Sequence, residues 1–231
     1  MIISRTPLRI SFVGGGTDMQ YFYQRETGMV ISASIDKYIY IIVKKRFDKK
    51  IVLNYSKREI VDSTSEIRHQ LIKASMELLG IKDSIEITSI ADIPSEGSGL
   101  GSSSSFTVGL IKALIKLKNQ NISKKNLSKK AIIIERDMIE ERVGWQDQII
   151  CSVGGLNITN YYKSKKFKVQ PIKLSLHNIK KLEKSIVLVY TGAQRFAHKV
   201  LKNQIKLTNK GTITQQLIDI ENITKEVSIN I

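Results

Sequence analysis

Residues 85–117, IEITSIADIPSEGSGLGSSSSFTVGLIKALIKL, constrain the fold more than any other stretch. Ile85, Ile87 and Ile90 predict a strand. Gly97, Gly99 and Gly101 punctuate the loop that follows, four serines come next, and Phe106–Leu117 has apolar residues at helical spacing. Glycine lacks a Cβ, so its backbone adopts positive φ and approaches a bound anion closely. Ser102–Ser105 stand at a helix N-terminus, where free N–H groups and the helix dipole favour phosphate. Serine hydroxyls add hydrogen bonds to phosphate oxygens, or a ligand to Mg²⁺. The same residues also read as a plain Gly/Ser turn ahead of a helix. A Walker A loop is excluded because no Lys follows Gly101. A dinucleotide fingerprint fails too: the spacing is GxGxG, the loop lies mid-chain, and the residue twenty past Gly101 is Asn121.

Around this unit the chain alternates turn signals with β-rich runs. Leu8–Val13 predicts a strand closed by Gly14-Gly15-Gly16, with Asp18 suited to cap a short helix through Arg25. Val30–Ser34, Tyr38–Lys45, Ile51–Tyr55 and Glu59–Val61 read as strands. Ser65–Leu79 has helical spacing, with Gly80 as its closing glycine, and a second helix is expected over Leu127–Glu141. Gly144–Gly155 reads as a loop with one helical turn. Gly155–Tyr161, Phe167–Ile172 and Ser185–Tyr190 read as strands, and the tail from Ala193 as helical. Strands gathered early with helices interposed later predict an α+β fold.

Charge bears on the choice of partner. The 231 residues carry 37 Lys and Arg against 21 Asp and Glu, a net charge of +16. Such an excess can mark nucleic-acid binding. Here it is mostly scattered Lys (Lys112, Lys116, Lys118, Lys124, Lys125), without the Arg forks and interleaved aromatics that read bases, so no nucleic-acid partner is expected. No run approaches the roughly 18 apolar residues a membrane span needs, so no membrane partner is expected either. Cys151 is alone and cannot form an internal disulfide, and His69, His177 and His198 lack ligand spacing. A cytoplasmic setting is the expectation.

Three motifs occur in order: PLRISFVGGGTD near the N-terminus, PSEGSGLGSSSS, and IERDMIEERVGWQDQIICSVGG. Together they resemble the GHMP kinases, the superfamily of galactokinase, homoserine kinase, mevalonate kinase and phosphomevalonate kinase. GGGTD and VGWQDQ are most similar to its sugar-kinase branch, the heptose 7-phosphate kinases in particular, with L-fucose kinases near relatives. The resemblance implies an ATP-binding domain over residues 1–185, the start of a second, ferredoxin-like subdomain over 186–231, and ATP and Mg²⁺ as cofactors. It implies a sugar or sugar phosphate as the acceptor, foremost D-glycero-D-manno-heptose 7-phosphate going to the 1,7-bisphosphate. An L-fucose or galactose kinase, or a non-catalytic sugar- or nucleotide-binding relative, are the alternatives.

The residue roles follow from the matched motifs. Asp147 takes the catalytic aspartate's place and Arg9 that of the arginine which offsets charge on the transferring group. Asp147 also suits an N-cap. Gly97, Ser98, Gly99, Leu100, Gly101, Ser102, Ser103 and Ser104 correspond to the phosphate cradle. Glu135 and Ser103 correspond to the Mg²⁺ ligands, and Gly15, Gly16, Thr17 and Asp18 to the sugar contacts. Trp145 reads equally as a wall of the sugar pocket or as packing. A third, glycine-rich motif of the superfamily is not found: past Gly155 the only glycines are Gly192 and Gly211. The second subdomain is therefore expected to be cut short.

Overall fold

The computed structural model describes residues 1–93, 98–141, 143–189 and 214–231. Its strands are β1 (Ile2–Val13), β2 (Gly28–Lys45), β3 (Ile51–Asn54), β4 (Arg58–Val61), β5 (Ile85–Ala91), β6 (Leu156–Tyr162) and β7 (Lys166–Pro171). The helices are α1 (Gln20–Tyr23), α2 (Gln70–Leu78), α3 (Ser102–Leu117), α4 (Lys124–Ile132), α5 (Gln146–Val153), α6 (Leu176–Lys184) and α7 (Thr214–Ile229).

One long strand organises the sheet. The expected strands Val30–Ser34 and Tyr38–Lys45 are a single element, because β1 pairs with β2 from Ile2↔Val43 to Val13↔Ile31. On its other edge, β2 gives Ile39–Lys45 to β5 and Gly28–Ala33 to β6. The order is β4-β3-β5-β2-β6-β7 with β1 on the far side of β2, and among the described residues only β3–β5 is parallel. This is the α+β architecture that the clustering of strands predicts. Helix α3 packs on β1 and β2 and is flanked by α2, α4 and α5. The core between these layers includes Leu8, Ile39, Ile41, Val43, Leu110, Leu114 and Ile150. α3 lies close to the sheet because small residues face each other. The Ser4 hydroxyl donates to the Gly109 carbonyl at 2.8 Å, and a Cβ on Gly109 would sit 2.7 Å from Thr6 Oγ1.

Several expected elements differ. The helix over Ser65–Leu79 is a 3₁₀ turn, Thr64–Glu66, then α2 from Gln70. The Glu59 carboxylate accepts the Arg68 N–H at 2.8 Å, and Ile67 and His69 are extended, which interrupts the helix. The helix over Leu127–Glu141 starts earlier, capped by Ser123 accepting from Asn126 N, and opens into a π turn over Ile133–Met138. Asp18 does not cap α1: that helix starts after Met19 without a side-chain cap. Asp147 is not an N-cap either, lying in the first turn of α5 behind Trp145. In place of a strand at Ser185–Tyr190, α6 ends at Lys184 and 186–189 are irregular. α6 buries no residue, although Leu176, Ile179 and Leu182 recur at helical spacing. Its start is set by Ser175, whose side chain accepts from Asn178 N. Tyr190 and the first part of the expected helical tail lie outside the described residues, and the remainder is α7, which packs on β1 and β2. Among the described residues no helix is long and apolar enough to cross a membrane.

Candidate active site

The three motifs converge where β1, the N-terminus of α3 and the start of α5 meet. The β1–β2 register shifts between Pro7, opposite Tyr38, and Arg9, opposite Ser34. Such an irregularity re-aims a side chain and frees backbone groups from the ladder. The Arg9 N–H donates to the Leu100 carbonyl at 3.0 Å, which ties the glycine loop to β1. The Arg9 side chain donates from Nε to Asp147 Oδ1 and from Nη2 to Asp147 Oδ2, both at 2.6 Å, and from Nη1 to the Gly99 carbonyl at 2.7 Å. One guanidinium thus joins the expected phosphate loop to the expected catalytic carboxylate. Burial opposes its charge, but Asp147 outweighs burial and the pKa of Arg9 is raised.

Gly99 and Gly101 are left-handed, at φ +71° and +75°. At Gly101 a Cβ would lie 3.0 Å from Arg9 Cγ and 3.4 Å from Asp147 Oδ2. A side chain there would press on the pair itself. The Ser98 and Ser102 hydroxyls share a 2.9 Å hydrogen bond. Ser103 is exposed while Ser104 and Ser105 are buried, and the Ser105 hydroxyl donates to the Thr6 carbonyl. Gly97 lies outside the described residues.

Glu135 sits in the π turn, fully buried. Its Oε2 accepts from Ser104 Oγ at 2.8 Å and from Gln148 Nε2. The structure therefore brings Ser104, rather than the neighbouring Ser103, to Glu135. Among the described residues Oε1 is buried without a donor in good hydrogen-bonding geometry; Thr107 Oγ1, near enough to lower the carboxyl's pKa, donates to the Ser103 carbonyl. Burial pushes the Glu135 carboxyl up to about 7, against the hydrogen bonds that lower it. A buried carboxylate oxygen without a donor, close to a helix start rich in hydroxyls, fits a divalent cation. The first amides of α3, which lack partners inside the helix, fit phosphate oxygens. No group of three or more His, Cys, Asp or Glu suited to a metal occurs among the described residues, so such a cation would lean on few protein ligands.

Of the expected sugar contacts, Gly15 is exposed and Gly16 half-buried, whereas Thr17 and Asp18 are buried. The Thr17 hydroxyl donates to the Gly14 carbonyl and accepts from Met29 N at 3.1 Å. Asp18 Oδ1 accepts from Gly16 N and Oδ2 from Gln146 N, each at 3.1 Å. Burial raises the Asp18 pKa, and the Asp147 charge adds to this. Trp145 packs on Tyr23 with centroids 4.8 Å apart and edge-on to Phe167, in a small second core with Ile149 and Tyr161. A cavity of about 360 Å³ opens beside α1, lined by Gln20, Gln24, Arg136 and Glu140 among others; neither Arg9 nor Asp147 lines it. Gln148 and Ser104, as partners of Glu135, are not singled out by sequence reasoning. Gln148 had one signal: it stands in the WQDQ motif one position after Asp147.

The profile of the GHMP kinases N terminal domain matches residues 55–155. A D-glycero-alpha-D-manno-heptose 7-phosphate kinase of Campylobacter jejuni is 32% identical over 211 residues, covering 85% of this chain and 61% of that protein. A bifunctional fucokinase/GDP-fucose pyrophosphorylase of Arabidopsis thaliana is 25% identical over 218 residues, covering 84% of this chain and 20% of that protein. The chain thus spans about three fifths and one fifth of the lengths of these two relatives. Among solved structures, a D-glycero-D-manno-heptose 1-phosphate kinase of Bacteriodes thetaiotaomicron superposes with a TM-score of 0.77 at 26% identity, covering 97% of this chain and 73% of that one. Lactococcus lactis galactokinase complexed with galactose shares the fold, with a TM-score of 0.65 at 19% identity over 98% of this chain and 69% of its own.

Proposed function

We propose that the chain is a GHMP kinase, the family whose N-terminal-domain profile matches residues 55–155, and that it transfers the γ-phosphoryl group of ATP to a hydroxyl of a sugar phosphate. The observation that carries this reading is the two-pronged Arg9–Asp147 pair beneath Gly101. It sets a carboxylate beside a loop whose backbone is shaped for phosphate. D-glycero-D-manno-heptose 7-phosphate is the proposed acceptor, supported by the name of the Campylobacter jejuni relative. An L-fucose-type acceptor is the second reading, supported by the match to the Arabidopsis thaliana fucokinase.

In this reading the amides of Ser102, Ser103 and Ser104, with Gly99 and Gly101, hold the phosphates of ATP. Glu135 Oε1 and the exposed Ser103 hydroxyl would hold Mg²⁺, which when bound offsets charge on the transferring phosphoryl group. Asp147 accepts a hydrogen bond from the acceptor hydroxyl and takes its proton as the oxygen attacks. Arg9 keeps that carboxylate in one orientation and places positive charge beside the reacting oxygens. Gln148 and Ser104 fix the rotamer of Glu135. The test is a coupled ADP-release assay across sugars and sugar phosphates. Turnover confined to heptose 7-phosphate carries the proposal, turnover of free L-fucose carries the second reading, and no turnover of any acceptor removes both.

A further inference from the structure

We infer that Asp18 is a positioning residue for Asp147, capping α5 from the far end of the chain. This rests on the reading of Asp147 as the group that meets the acceptor hydroxyl. Helix α5 begins after Trp145 without a side-chain cap of its own, so the N–H of Gln146, its first residue, lacks an intrahelical partner. Asp18 Oδ2 accepts that N–H at 3.1 Å across a separation of 128 residues. Its other oxygen accepts from Gly16 N, and only 2% of Asp18 is exposed, so the carboxylate faces inward. A carboxylate at this place also meets the positive end of the α5 dipole. The residue after the capped amide is Asp147 itself.

Both ends of this strut are built for it. On the α5 side, Gly144 leaves room for the carboxylate: a Cβ there would lie 1.7 Å from Asp18 Oδ2 and 2.4 Å from Cγ. On the Asp18 side the turn is seated against β2 by contacts too close for other residues. A Cβ on Gly14 would lie 2.1 Å from the Met29 carbonyl oxygen, and one on Gly28 would lie 2.1 Å from that of Thr17. The turn that holds Asp18 thus rests on the central strand, and through Asp18 it sets where α5, and Asp147 on it, begin.

The experiment compares wild type with Asp18→Asn, Gly144→Ala and the double variant, reading phosphoryl transfer and acrylamide quenching of Trp145, the one tryptophan and the residue preceding the capped amide. Each single variant is expected to lower kcat by about 10²-fold, the usual effect of a small misplacement, with KM for acceptor and ATP held within about twofold. The double variant loses no more than the worse single, because both act on one contact. Trp145 quenching is expected to rise in all three while the thermal melt stays cooperative. A raised acceptor KM with kcat held in Asp18→Asn overturns the inference, since Asp18 would then be touching substrate. Unchanged Trp145 quenching overturns it as well. Should wild type transfer no phosphoryl group at all, the kinase reading fails on its own, and Trp145 quenching still decides whether Asp18 sets the start of α5.

Discussion

Arg9 and Asp147 form a forked ion pair, Nε to Oδ1 and Nη2 to Oδ2 at 2.6 Å each, between a strand at one end of the chain and a helix 138 residues away. Both side chains are partly exposed, at 12% and 25%, so the pair is not sealed from solvent. Arg9 also donates to the Gly99 carbonyl, so one side chain ties loop, strand and helix together.

Replacing Asp147 by Asn keeps the side-chain shape and removes the proposed proton acceptor. Asp147→Asn is expected to lower kcat by about 10²–10⁴-fold while ATP binding, measured by calorimetry, changes little. Arg9→Lys keeps the charge and loses the parallel fork, and is expected to cost about 10²-fold in kcat. Retained turnover in either variant would refute the assigned roles.

Gly101→Ala brings backbone and packing effects together. Its φ of +75° is unfavourable for a residue with a Cβ, costing about 1–2 kcal/mol, and the added carbon presses on Arg9 and Asp147. The variant is expected to melt earlier and to lose turnover. At Gly99, also left-handed, nothing lies within 4 Å of the added carbon, so Gly99→Ala is expected to show the backbone penalty with less effect on kcat. Thermal melts and steady-state rates measured side by side separate the two.

Ser103 and Ser104 are expected to part company. Ser104→Ala removes a buried donor to Glu135 and is expected to lower stability by about 1–3 kcal/mol in urea unfolding. Ser103→Ala removes an exposed hydroxyl, so stability should hold while the Mg²⁺ concentration for half-maximal rate rises. Equal stability losses would refute the distinction.

His69 supplies a pH-dependent contribution. Its ring stacks on Phe106 at 5.0 Å and meets Tyr55 edge-on at 4.7 Å, with Nδ1 buried and without a partner among the described residues. Burial pushes its pKa below the usual 6.5, against the charge of Glu59, which raises it. The stability that the neutral ring contributes is present above the unfolded pKa and is lost as pH falls through the folded one. The urea midpoint of wild type is expected to drop more between about pH 7.5 and about pH 5.5 than that of His69→Phe. A wild-type drop no larger than the variant's would count against it.

The parts of the fold that could be read in the sequence are those where local chemistry and packing agree. The strand–glycine loop–helix unit of 85–117 is such a case, because the loop's positive φ demands glycine and α3 is amphipathic where it meets the sheet. β2 was split in reading because nothing local shows that β1 would pair along its whole length. α6 has helical spacing at Leu176, Ile179 and Leu182 but buries none of them, and α2 begins late because Glu59, in another element, holds the Arg68 amide. In the candidate site, Arg9 and Asp147 were legible from their motifs, whereas their pairing needed the register shift in β1. Asp18 shows the limit most clearly. Its chemistry reads as a helix cap, and it does cap a helix, but one 128 residues downstream.

Those sequence separations bear on how the site comes into being. β1–β2 and β6–β7 are hairpins between neighbours in the chain, which close early because little chain entropy is lost. The contacts that define the site have far longer reach: 99 residues for Ser105 to Thr6, 128 for Asp18 to Gln146, 138 for Arg9 to Asp147. The first needs α3 seated on β1, and the other two need the start of α5 beside β1 and the turn after it. On a nascent chain both strands of the β1–β2 pairing are present once residue 45 is made, whereas Arg9 waits a further hundred residues or so for the carboxylate it pairs with.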